Sequence, residues 1–287
     1  MMKKDEKGKN AAALLSVGAA ALLVSFKMVV AFATGSLGIL SEALHSALDF
    51  VAAAVTWVAV KLSDKPADKE HNFGHGKIEN FSALIEAFLL FATCGWIIFE
   101  AVSRLSSEAK PVEVGFWSFA VVITSILVDV GRSRALMKAA REYKSQALEA
   151  DALHFSTDIW SSAVVLFGVA GSFFGFHRAD AIAALAVAII VIWVSVKLSL
   201  RAIDELLDKA PEGIRERVAE LIGEVDGVIK SHSLRVRSSG DTYEIDVNIH
   251  VDSTLSIVEA HDISERVERV LRERLGKILI NVHVEPQ

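Results

Sequence analysis

Residues 43–50 read ALHSALDF, and residues 152–159 read ALHFSTDI. Both carry Ala-Leu-His-x-x-x-Asp, so a histidine and an aspartate stand four apart, twice, in or against long apolar stretches. On a helix, residues four apart share one face, a turn above each other. His45 and Asp49 therefore project together, as do His154 and Asp158. A carboxylate at mid-membrane costs roughly 3 kcal/mol on insertion scales, so such residues face a cavity and serve a purpose there. Two converging pairs would supply two imidazole nitrogens and two carboxylate oxygens. That is a complete tetrahedral set for zinc, and two aspartates balance a divalent charge. The competing reading is a polar clasp between helices; it accounts for one such pair more readily than for two matched ones.

The elements that must position these groups are themselves apolar. Of 287 residues 52% are hydrophobic, mean hydropathy is +0.41 and the net charge is -6. Runs of about 20 apolar residues, the length of a membrane-spanning helix, lie near 11–33, 38–60, 80–102, 114–131, 152–174 and 181–200. From about residue 203 charged and apolar residues mix, as in a soluble domain. The expected organisation is an N-terminal segment over 1–10, six transmembrane helices over 11–205, and a cytoplasmic α+β domain over 206–287. The first run exceeds the 7–15-residue core of a signal peptide, so it reads as helix 1 despite Ala31-Phe32-Ala33. Cys94 is the only cysteine, which excludes a disulfide framework and a thiolate metal cage within one chain.

Basic residues alternate along the connections. Lys3, Lys4, Lys7 and Lys9 precede helix 1, and Lys61, Lys65, Lys69 and Lys77 follow helix 2. Arg132, Arg134, Lys138, Arg141 and Lys144 follow helix 4, whereas the other loops hold only Arg104 with Lys110, and Arg178. The positive-inside rule then puts both termini in the cytoplasm. Asp129 and Asp151 read either as lining a cytoplasmic approach or as partners for Arg132 or Lys144. Glu86 and Glu100 belong to helix 3, Glu86 without an assigned role, and Lys27 reads as snorkelling outward on its stem.

Two further groups carry metal-ligand types. Asp68, His71 and His75, at three- and four-residue spacing beside Pro66 and two glycines, read alone as a solvated loop or as an exposed three-ligand site. In the tail, Pro211 is placed to open a helix through about 224. Two strands follow around Ser-Ser-Gly-Asp, with Ile245, Val247, Ile249 and Val251 on one face and Asp246, Asn248 and His250 on the other. Ser256 and Glu259 form a capping-box signature, and Ile257, Ala260, Ile263, Val267, Val270 and Leu271 form the buried stripe of the next helix. The last strand puts His283 and Glu285 on one face. The order is αββαβ, and His232, His250, His261, His283 and Glu285 are dense for about 80 residues; scattered surface histidines are the plainer reading.

With HxxxD in helices 2 and 5, GSLGILSEALHSALD, FGHGKIE and the soluble tail, the sequence resembles the cation diffusion facilitator family over nearly its whole length. The resemblance implies a homodimeric exporter of divalent metal from the cytoplasm in exchange for protons, placed in a bacterial inner membrane. It implies that His45, Asp49, His154 and Asp158 form the transport site, and that histidine at the first position of both pairs goes with zinc. It raises Asp68, His71 and His75 to a second metal site. It also pairs Lys77 with an acidic residue after helix 6 of the neighbouring subunit, here Asp208, with Asp204 the alternative. The tail looks like the family's metallochaperone-like domain, with a regulatory binuclear zinc site at His232, His250, His261, His283 and Glu285. Glu285 stands where close relatives carry Asp, and a longer carboxylate can still bridge.

Ligand chemistry supports proton exchange without a separate relay. Metal and proton compete for the same atoms, and histidine titrates near pH 6.5. Iron(II), cobalt, cadmium and manganese stand behind zinc as cargo, and a membrane metal sensor that does not transport is the other alternative. An intramembrane hydrolase would need HExxH, and an ATP-driven pump GxxxxGK[ST]; neither motif occurs. The negative charge and the lack of a basic cluster of DNA-binding type argue against nucleic acid as partner.

Overall fold

The apolar runs are helices of 27–33 residues: α1 (Met2–Thr34), α2 (Leu37–Ser63), α3 (Ile78–Ser106), α4 (Phe116–Tyr143), α5 (Gln146–Phe173) and α6 (Ala179–Leu206). The tail follows as α7 (Ile214–Gly223), β1 (Lys230–Ser239), β2 (Thr242–Val251), α8 (Ile257–Leu275) and β3 (Ile278–Pro286). The structure, a computed structural model, describes residues 2–34, 37–106, 116–173 and 179–287. The turn after α1 and the loops holding Lys110 and Arg178 lie outside the described residues, as do the side chains of Glu100 and Arg104. Two compact units result, one of Met1–Asp64 with Ile78–Ala202 and one of Lys65–Lys77 with Ile203–Gln287.

In the first unit α1 packs on α2 and α4, α4 on α5, and α3 on both α2 and α5. Alanines make the close approaches: Ala13, Ala53, Ala139, Ala140, Ala147 and Ala152 surround Leu136, Leu148 and Phe155. Among the described residues four helical segments are long and apolar enough to cross a membrane: Lys7–Ala33, Ala43–Ser63, Ile78–Ser103 and Ala184–Leu206. Six were expected. α4 and α5 match the others in length, and both carry charged residues, Asp129 and Arg132 in α4 and Asp151 and Asp158 in α5. All four of those charged residues are buried within the unit.

Two lysines depart from expectation. α1 begins at Met2, not near residue 11, and Lys9 is drawn into the unit, with Nζ 2.5 Å from Asp64 Oδ1 and 2.7 Å from Glu79 Oε1. Ser63 Oγ donates to the same Glu79 oxygen at 2.9 Å and Ser145 Oγ to the other, so one carboxylate joins α1, α2, α3 and the α4–α5 turn. Lys27 does not snorkel. It is 3% exposed and donates to Ser46 Oγ of α2 at 2.8 Å, because a desolvated ammonium needs an acceptor within reach.

The second unit contains a three-stranded sheet in the order β1-β2-β3, antiparallel between β1 and β2 and parallel between β2 and β3. Ile245, Val247, Ile249 and Val251 of β2 are buried with Val218, Leu221 and Ile222 of α7 and Ile263, Val267 and Leu271 of α8. The helices thus cover one face of the sheet. Gly240, at φ 62°, begins the two-residue β1–β2 turn, a conformation that glycine adopts without strain. The capping box at α8 is complete, Ser256 Oγ accepting from the Glu259 amide and Glu259 accepting from the Ser256 amide.

Two details of the tail differ from the sequence reading. α7 starts at Ile214 behind Gly213 in the left-handed region, and Pro211 sits before it in a turn whose carbonyl accepts from the Ile214 amide. Ile257 is 89% exposed, since the first turn of α8 precedes the point where the helix meets the sheet. The 65–77 segment, expected with the membrane helices, belongs with the tail. A Cβ at Gly76 would lie 2.7 Å from Ser239 O, and the Arg237 guanidinium lies over the Phe73 ring at 4.7 Å.

Candidate metal centre

α2 and α5 pack against each other and bring their HxxxD faces together. His45 Nε2 lies 3.9 Å from Asp49 Oδ1 and 3.8 Å from Asp158 Oδ1. His154 Nε2 lies 3.4 Å from Asp49 Oδ1 and 3.8 Å from Asp158 Oδ2. His45, Asp49 and Asp158 each place one ligand atom within 4.8 Å of the others, close enough to share a cation. His154 is not part of that grouping of three, but its Nε2 contacts both aspartates.

Around this quartet lies a polar surround that the spacing argument did not assign. Glu86 of α3 is fully buried. Its Oε1 accepts from Thr56 Oγ1 at 3.0 Å and its Oε2 is 3.4 Å from His154 Nδ1. The signal was present: Glu79, Ser82, Ala83, Glu86, Ala87, Leu90 and Cys94 recur at helical spacing, and all are buried. Arg132 Nη1 is 3.4 Å from Asp129 Oδ1, and Nη2 donates to Ser16 Oγ at 3.1 Å. Ser16 in turn donates to Asp151 Oδ2 at 3.1 Å. The partner expected for these aspartates at Arg132 is therefore there, joined to Asp151 through Ser16.

The loop residues also converge. Asp68 Oδ1 is 3.4 Å from His71 Nδ1, Asp68 Oδ2 is 3.4 Å from His75 Nε2, and the imidazole centroids are 4.4 Å apart. Hydrogen bonds from the His71 and Glu70 amides, with help from the two imidazoles, hold the Asp68 carboxyl below its ordinary value, so it is ionised at neutral pH. Lys77 Nζ lies 2.5 Å from Asp208 Oδ1 within one chain, and Arg237 Nη1 donates to Asp208 Oδ2 at 2.9 Å. Asp204, the alternative partner, is held by Lys209.

On the sheet face away from the helices, register sets His232 opposite Asn248, Asn248 opposite His283, and His250 opposite Glu285. Glu285 Oε2 is 3.1 Å from His232 Nε2 and 3.5 Å from His250 Nε2, while Oε1 accepts from Asn248 at 2.7 Å and is 3.6 Å from His283 Nε2. The Asn248 amide, then His232, depress the Glu285 carboxyl below the usual range. The longer carboxylate thus reaches three histidines. His261 stands apart from this group, 3.5 Å from Glu265 on the exposed side of α8.

Comparison with known proteins fits both units. Residues 13–207 match the cation efflux transmembrane domain, and residues 192–287 match the cytoplasmic domain of cation efflux proteins. The cation-efflux pump FieF of Yersinia enterocolitica is 32% identical over 281 residues, covering 96% of this chain and 92% of that protein. FieF of Serratia proteamaculans is 32% identical over 280 residues with the same coverage. Among solved structures, a MamM CTD in a cadmium form is 27% identical over 26% of this chain and 96% of that one, with a TM-score of 0.26. The chain belongs to the cation efflux family, a family of membrane transporters and not of enzymes.

Proposed function

We propose that the protein exports a divalent metal ion, zinc before iron(II), cobalt, cadmium or manganese, from the cytoplasm in exchange for protons. The transport site is His45, Asp49, His154 and Asp158, and the observation that carries it is the meeting of two HxxxD faces at separations of 3.4–3.9 Å. Two imidazoles and two carboxylates suit a small tetrahedral ion. The relatives named cation-efflux pump support the direction of transport. Six spans follow when α4 and α5 turn their buried charges inward, away from lipid. Both termini then face the cytoplasm of a bacterial inner membrane.

Deprotonated ligands bind the ion on the cytoplasmic side, and an acidic exterior returns protons to the same atoms as the ion leaves. Asp68, His71 and His75 form an exposed secondary site. His232, His250, His283 and Glu285 form a regulatory zinc site that draws two tails of a homodimer together, with His261 an outlying contributor. The match to the family's cytoplasmic domain supports the homodimer. Lys77–Asp208 ties the loop to the tail.

Reconstituted vesicles with a pH-sensitive lumenal dye test this reading, offered zinc, cadmium, iron(II), cobalt or manganese. Wild type is expected to move zinc with opposite proton movement, and Asp49→Ala or Asp158→Ala to abolish both. Full zinc flux in either variant would overturn the assignment.

A further inference from the structure

Both buried groups at the back of His154 are aimed at each other. Glu86 Oε2 and His154 Nδ1 are 3.4 Å apart, and neither has a hydrogen bond at standard geometry among the described residues. The other end of the ring points the opposite way, with Nε2 3.4 Å from Asp49 and 3.8 Å from Asp158. Glu86 is itself anchored, because Thr56 of α2 donates to its second oxygen at 3.0 Å. A fully buried carboxylate is costly unless it is paired and hydrogen-bonded.

We propose that Glu86 is a positioning residue for the transport site, accepting Nδ1–H of His154 so that Nε2 keeps its lone pair for the cargo ion. The inference rests on the quartet described above. Metal-bound histidines almost always hand their second N–H to a carboxylate or carbonyl, which fixes the ring and strengthens it as a donor. At 3.4 Å the pair is poised short of a full hydrogen bond. A pair at that distance needs only a small movement to reach hydrogen-bond length. Glu86 faces the Nδ1 side, away from the ligand atoms, so it does not add a fifth ligand. α3, which supplies none of the four ligands, would thereby set the affinity of the site.

Zinc flux of the full-length chain in vesicles, measured against zinc concentration, tests this in wild type, Glu86→Gln, Glu86→Ala and Thr56→Val. Loss of a group behind a metal-bound histidine weakens metal affinity about 10–100-fold. Glu86→Ala is therefore expected to raise half-saturating zinc by about that factor while saturating flux stays close to wild type. Glu86→Gln, which keeps the shape and an acceptor oxygen, should fall in between, and Thr56→Val should shift half-saturation in the same direction by less. A purely structural role would lower flux per reconstituted protein at unchanged half-saturation. That result in Glu86→Gln, which preserves the packing, would overturn the inference, as would wild-type half-saturation in Glu86→Ala. If instead Asp49→Ala transports zinc like wild type, the quartet itself fails, a result distinct from the Glu86 outcomes.

Discussion

His45 and His154 occupy the same place in the HxxxD repeat but sit in different surroundings. The His154 side chain is 6% exposed and backed by Glu86, whereas the His45 side chain is 43% exposed. His45 is the more replaceable ligand on steric grounds. Exchanging it for a carboxylate adds a third negative charge and a group able to bind through two oxygens, which relaxes the demand for a small tetrahedral ion and admits a larger one. His45→Asp is accordingly expected to raise cadmium flux relative to zinc several-fold in the vesicle assay. An unchanged ratio would locate selectivity elsewhere. The grouping of each histidine with its aspartate was legible in the sequence because the four-residue spacing is local, and one helix turn fixes it. Glu86 and Lys27 were not. Their roles depend on which neighbouring helix they meet, Thr56 of α2 and His154 of α5 for one and Ser46 of α2 for the other.

Among elements, the 65–77 segment shows how a loop can be tied to a hairpin. Asp208 accepts from Lys77 and Arg237, and Arg237 also holds Glu244 at 2.6 Å, so one ionic chain runs from the segment to β1 and β2. The Lys77 hydrogen bond, with that of Arg237, lowers the Asp208 carboxyl from its ordinary 3.8. A depressed folded value means that the stabilisation is present above about pH 3.8 and is lost as pH falls through the lower folded value. Exposed ion pairs contribute about 0.2–1 kcal/mol each and Asp208 makes two, so Asp208→Asn should speed hydrogen exchange across 65–77 by about two- to thirtyfold at neutral pH. It should also remove the acid-induced rise in exchange that this linkage predicts for wild type. Equal exchange in the two proteins would mean that Gly76 and Phe73 hold the segment alone. The αββαβ order was readable because strand alternation and the capping box are short-range signals. No local signal gives the Lys77–Asp208 pair, whose members are 131 positions apart; the family resemblance named it, but between subunits rather than within one chain. Mean hydropathy also ranks α4 below the other long helices, because it counts Arg132 without knowing that Ser16 joins it to Asp151.

For the whole transporter, the tail cluster offers a way for cytoplasmic zinc to act on transport. His232, His250, His283 and Glu285 crowd one face of a sheet whose other face is closed by α7 and α8, so a second copy can approach only the open side of the cluster. Zinc there would neutralise the Glu285 carboxylate and bridge two tails, biasing the dimer as a ligand biases a two-state element by binding one state better. Spin or fluorescent labels on α8 of full-length dimers are expected to move closer as zinc is added. Glu285→Ala and His232→Ala should lose that response, and should require more zinc for half-maximal flux while still transporting. His261→Ala, outside the cluster, should slow flux only modestly and keep the approach of the labels. If zinc leaves label distance and oligomeric state unchanged in wild type, the tail does not act as the switch. In that event the proposed quartet in α2 and α5 would be the remaining place where a cytoplasmic metal ion could act on transport.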